Sequence, residues 1–192
     1  MYTREWLIGR TRFYQSFGFF EEYNYLLDEE LADEMIRLRQ VELEEEKIEK
    51  LFREGHDWLL LILDKKRVLS AATDILYAEE PPEYDFECLV ETIEKLSAIS
   101  RGGFFPQNVQ EVNIETIEFV LNGEKRTLTP EGPPDDPLIL ASQINPMILT
   151  TGYQFKQQAM FPDVFVYAMT EKEIESIGWK FLPERWMFDR EY

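Results

Sequence analysis

Two residues of this chain, Cys88 and His56, are of the types that could form a nucleophilic pair. Cys88 lies early in a segment predicted to be helical, and the exposed N–H groups of a helix N-terminus stabilise a thiolate. A nearby imidazole would activate that thiolate, and Asp57 could orient the ring. No family signature surrounds either residue, and the apolar neighbour Phe86 favours a buried, inert sulfur. A Cys-dependent hydrolase or transferase is therefore an alternative function, while the favoured interpretation is a structural cysteine.

The composition excludes several kinds of metal and cofactor site. One histidine and one cysteine cannot build a zinc site from several His or Cys ligands, or an intrachain disulfide. The chain also lacks an EF-hand loop, a Walker A lysine motif and a dinucleotide-binding glycine motif. Glu131, Asp135 and Asp136 could bind a divalent cation loosely, but an ordinary polar, proline-rich loop explains them better. We therefore predict no metal and no cofactor.

The strongest functional signal is the charge. The 192 residues include 38 acidic and 20 basic side chains, which gives a formal charge of −18. A small domain needs a net charge of only about 2–8 for solubility, so the surplus favours a role in recognition. Such a field repels nucleic acids and anionic membranes, and it attracts basic proteins. We predict a non-enzymatic protein that masks a basic partner, as an immunity protein or antitoxin covers the nucleic-acid-binding face of a nuclease toxin.

The carboxylates are concentrated between Asp28 and Glu94, and four tryptophans and nine tyrosines offer rings of the type that anchor interfaces. Single pairs of acids carry no evidence for glycosidase chemistry, because 38 acids create many such pairs by chance. We predict that the partner-binding residues come from two acidic segments rich in proline. They are Glu79, Glu80, Glu83, Asp85, Glu131, Asp135 and Asp136.

Two further functions fit the same sequence. The helix predicted to begin at Asp28 could present carboxylates as a mimic of duplex DNA and bind DNA-processing proteins non-selectively. The chain could instead be a structural subunit of a larger assembly, with the aromatic tail from Trp179 to Tyr192 as its docking segment. No wholly apolar run is longer than the six residues of Trp58 to Leu63, too few for a membrane span or a signal peptide. We therefore expect a cytoplasmic protein.

The pattern of apolar residues predicts a single α+β domain over residues 1–192. An aromatic arm, residues 1–27, packs on the core in this prediction. Residues 28–100 are mainly helical, with the clearest helical stretch beginning at Asp28 and a clean helical stripe from Phe86 to Ile99. Residues 101–192 carry an antiparallel or mixed sheet.

Local signals place the strands. Asn122-Gly123 predicts a tight hairpin between a long strand from Val109 to Leu121 and a return strand from Glu124 to Thr129. A second hairpin is predicted from Trp58–Leu63 as a buried strand that turns into another at Val68–Tyr77.

The last part of the chain carries signals for two helices and one strand. Leu138 to Leu149 predicts a short helix that is interrupted at Pro146, because proline removes a helical donor. Val164 to Met169 predicts a strand, and Thr170 to Glu173 has the pattern of a capping box that opens a short helix.

Overall fold

The computed structural model describes residues 3–42, 57–72, 86–113, 116–131, 136–160 and 163–177. The chain divides into two compact units, Met1–Lys65 and Lys66–Tyr192. The described residues contain five α-helices and six β-strands, and the strands form two antiparallel three-stranded sheets. This confirms the predicted α+β class. The assignment of residues 1–192 to one domain stays a prediction.

The first unit is helical. Helix α1 is Arg4–Gln15, helix α2 is Asp28–Glu42, and a short 3-10 helix is Asp57–Leu63. The Thr3 hydroxyl caps α1 by accepting from the Trp6 N–H. The predicted aromatic arm is therefore a helix followed by a turn, and the rings of Tyr14, Phe19 and Phe20 are fully buried.

The hairpin predicted from residue 58 to residue 77 is wrong. Its first half belongs to the 3-10 helix Asp57–Leu63, and β1, Val68–Ala72, pairs with a distant strand instead. Leu60 to Leu63 are all buried, and a fully buried apolar run has no periodicity that separates a strand from a helix. The residue that follows the 3-10 helix is Asp64, whose buried carboxylate accepts the Phe20 N–H at 2.5 Å.

Within its described residues, the second unit combines three α-helices with the two sheets. The helices are α3, Phe86–Ile99, α4, Pro137–Ile148, and α5, Glu171–Ile177. One sheet has the order β1-β6-β5, where β5 is Tyr153–Met160 and β6 is Asp163–Thr170. The other sheet has the order β2-β3-β4, with β2 at Gln107–Asn113, β3 at Thr116–Leu121 and β4 at Glu124–Leu128.

One apolar core joins both sheets to α3 and α4 within this unit. The predicted stripe of α3 supplies Leu89, Ile93 and Leu96, and alternate residues of β3 face the same core. The Asn122-Gly123 hairpin is confirmed, because both residues have positive φ angles, 54° and 80°. The predicted long strand over residues 109–121 is two antiparallel strands, β2 and β3.

Helix α4 continues through Pro146, so the predicted interruption there is wrong. The ring lies near the helix end, where it removes a single donor. The adjacent Asn145 fixes the helix to β5: its Nδ2 donates to the Phe155 carbonyl at 3.0 Å, and its Oδ1 accepts the Phe155 N–H at 2.6 Å. The predicted strand at residues 164–169 is confirmed as part of β6.

Two glycines should respond oppositely to substitution by alanine. At Gly103, a Cβ atom would lie 2.7 Å from the Tyr153 Cβ, and we expect Gly103→Ala to cost about 1–3 kcal/mol of unfolding free energy. At Gly9, in the exposed middle of α1, a Cβ meets nothing within 4 Å. Gly9→Ala should stabilise by about 0.5–1 kcal/mol. Urea denaturation of both variants tests this, and equal effects would contradict it.

Candidate functional site

Cys88 is the third residue of α3, in the first turn as predicted. Its side chain and the whole of His56 lie outside what the structure describes. The nucleophilic pair therefore stays a prediction.

Of the seven predicted partner-binding carboxylates, the structure describes two, Glu131 and Asp136. Glu79, Glu80, Glu83, Asp85 and Asp135 lie outside the described residues, and Glu131 is exposed. Asp136 is buried, with a side-chain Oδ1 that accepts the Leu138 N–H at 2.8 Å and so caps α4. That carboxylate has a structural role. Among the described residues, no group of three or more His, Cys, Asp or Glu side chains could bind a metal ion.

The first turns of α2 carry the best-described acidic surface. Asp28, Glu29 and Asp33 are exposed, at 63%, 77% and 70% of their side chains. Each forms an ion pair with an arginine of α1. Arg4 bridges two of them, through Nε to Glu29 Oε2 at 3.0 Å and through NH1 to Asp33 Oδ1 at 2.7 Å. This spacing of carboxylates on α2 therefore accepts a guanidinium group.

Arg12 makes the second connection between the helices. Its Nε and NH2 atoms both donate to Oδ1 of Asp28, at 3.0 and 2.8 Å. NH2 also donates to the Leu26 carbonyl at 2.8 Å. Arg12 therefore fixes the turn that leads into α2.

Tyr25 and Leu27 flank that fixed carbonyl and are 80% and 72% exposed. The sequence prediction missed both residues. Nine aromatic side chains precede Asp28, and their spacing does not reveal which of them remain at the surface. The available signal was the position of both residues within the three positions that precede a run of three acids.

Tyr23, one turn earlier, lies in an environment that disfavours negative charge. Burial is the largest cause, and together with the neighbouring carboxylates of Glu22 and Glu34 it raises the pKa of the phenol to about 12. The phenol is therefore neutral over the physiological pH range. The pKa of Glu34 is lowered by its hydrogen bond to Arg37, so that carboxylate keeps its negative charge.

The second unit contains a largely buried ion pair. Arg101 NH1 lies 2.8 Å from Oε1 and 2.9 Å from Oε2 of Glu173, and its guanidinium stacks over the Tyr153 ring. Glu173 Oε2 also accepts the Thr170 N–H at 2.8 Å, and the Glu173 N–H donates to the Thr170 hydroxyl. This confirms the predicted capping box. The carboxylate thus connects α5 to the end of α3.

No family model, curated protein or solved structure matches this chain. Across the part of the chain that the structure describes, no helix combines the length and the apolar character that crossing a membrane requires.

Proposed function

We propose that this chain is an acidic, non-enzymatic binding protein that masks a basic protein partner, in the manner of an immunity protein or antitoxin. The observation that carries the proposal is the charge of −18. A field of this strength steers a basic partner towards the surface and repels nucleic acid, the competing ligand of a nuclease. The chain itself is cytoplasmic in this proposal.

The acidic turns of α2 support the proposal at the level of contacts. Three carboxylates there are more than three-fifths exposed although arginines already pair with them. Exposed ion pairs of this kind contribute only about 0–1 kcal/mol each, so an approaching cation can share or replace them at small cost. The surface is therefore acidic, and its ion pairs can be exchanged for contacts with a partner at a small cost in free energy.

The test is the salt dependence of association with the partner. The tagged full chain is used to recover proteins from the source cell at low ionic strength, and the association rate constant with the recovered basic protein is measured by stopped flow. Steering acts over about 8–10 Å at physiological salt, so we expect the rate constant to fall by about tenfold or more when the salt is raised to 0.5 M, roughly a 4–5 Å Debye length.

Two results would contradict the proposal. One is recovery of no basic protein at low salt, and the other is an association rate that does not change with salt. Protection of a single nuclease supports the immunity-like function. Competition with duplex DNA for several unrelated DNA-binding proteins would instead indicate a mimic of duplex DNA.

A further inference from the structure

Two large apolar side chains stand out on the turn between α1 and α2. Tyr25 and Leu27 are the two most exposed large apolar residues in the described part of the chain. Single exposed apolar residues are common, but neighbouring ones beside charged residues often mark a contact site. A tyrosine is also among the residues that most often anchor interfaces.

The backbone that carries these side chains is fixed on both sides. Arg12 NH2 donates to the Leu26 carbonyl at 2.8 Å, and the Leu27 N–H donates to Glu30 Oε2 at 3.0 Å. The turn is therefore ordered before any partner arrives. A preordered contact loses less conformational entropy on binding, so more of its interaction energy contributes to affinity.

Carboxylates border the apolar pair. Asp28 and Glu29 follow Leu27 directly, and Asp33 lies one turn further along α2. Arg4 shows which cation suits this border, since its guanidinium reaches both Glu29 and Asp33 within 3.0 Å. Exposed apolar side chains next to carboxylates complement a partner segment that carries arginine or lysine beside aliphatic side chains.

We infer that Tyr25, Leu27, Asp28, Glu29 and Asp33 form a docking surface for a basic, amphipathic segment of a protein partner. The inference rests on the proposed function: it specifies which surface binds the basic partner and which kind of partner segment binds there. The carboxylates attract and orient the segment, and Tyr25 and Leu27 supply the apolar contact that distinguishes an amphipathic basic segment from a purely polar one.

Two synthetic peptides of equal positive charge test the surface directly. One has arginines on one helical face and leucines on the other, and the second has serine at every leucine position. We expect the full-length chain to bind the leucine peptide about tenfold more tightly or better, measured by fluorescence anisotropy at low salt. The double variant Tyr25→Ser/Leu27→Ser should bind both peptides equally.

The matched control is Phe105→Ser/Leu149→Ser, which removes two exposed apolar side chains from the second unit. It should keep the preference for the leucine peptide. We expect both variants to fold, since all four side chains are mainly exposed, and circular dichroism checks this. The inferred docking surface is contradicted if the Tyr25/Leu27 variant keeps the preference for the leucine peptide, or if the unaltered chain binds both peptides equally. Binding of neither peptide to the unaltered chain would contradict the proposed function itself.

Discussion

Glu173→Ala should destabilise the second unit by about 3–5 kcal/mol, because it removes one partner of a largely buried ion pair. The side chains of Arg101 and Glu173 are only 13% and 9% exposed. Loss of the carboxylate removes the two short contacts that Glu173 makes with the guanidinium over the Tyr153 ring, and it also removes the acceptor of the Thr170 N–H. Urea denaturation followed by circular dichroism measures the loss.

Two comparisons show whether the ion pair is the cause. Lys172→Ala, at the exposed neighbouring position on α5, should change the unfolding free energy by no more than about 0.5 kcal/mol. Arg101 has a φ angle of 58°, a conformation that favours glycine, so Arg101→Gly should be less destabilising than Arg101→Ala. A loss below about 1 kcal/mol for Glu173→Ala would show that the pair contributes little.

Asn145→Ala should cost about 2–4 kcal/mol, because it leaves two backbone groups of a buried residue without partners. Phe155 is 2% exposed, and the Asn145 amide satisfies both its N–H and its carbonyl. The Phe155 amide proton should also exchange much faster with solvent in the variant. Denaturation gives the free energy, and hydrogen exchange gives the local effect.

The near-isosteric Asn145→Asp separates hydrogen bonding from packing. A carboxylate can still accept the Phe155 N–H but repels the carbonyl to which Nδ2 donates, so this variant should be at least as destabilised as Asn145→Ala. Thr150→Ala, at an exposed position beyond α4, is the control and should have little effect. Wild-type stability of Asn145→Asp would contradict a role for the paired hydrogen bonds.

The elements that the sequence predicted correctly depend on short-range signals. Asn122-Gly123 requires two positive φ angles, which few dipeptides allow, so the β3–β4 hairpin was predictable. Thr170 and Glu173 satisfy each other's backbone groups within a single turn. The stripe of α3 is equally local, since its period follows from the helix itself.

The errors involve partners that are far apart in sequence. β1 pairs with β6, about a hundred residues later, and no local pattern indicates that pairing. Helix α4 runs through Pro146, and the neighbouring Asn145 bonds to β5, a strand that was not predicted. In the candidate surface, the acids of α2 were visible in the sequence. The exposure of Tyr25 and Leu27 was not, because it depends on how α1, the turn and α2 pack.

The claim that these carboxylates serve recognition is tested most directly by neutralising them. Asp28→Asn/Glu29→Gln/Asp33→Asn removes three charges from α2, and Glu94→Gln/Glu111→Gln/Glu175→Gln removes three exposed charges from the second unit. We predict that the first variant raises the dissociation constant for the basic partner about tenfold or more at constant salt, and that the second has a much smaller effect. An unchanged dissociation constant in the first variant would contradict the claim.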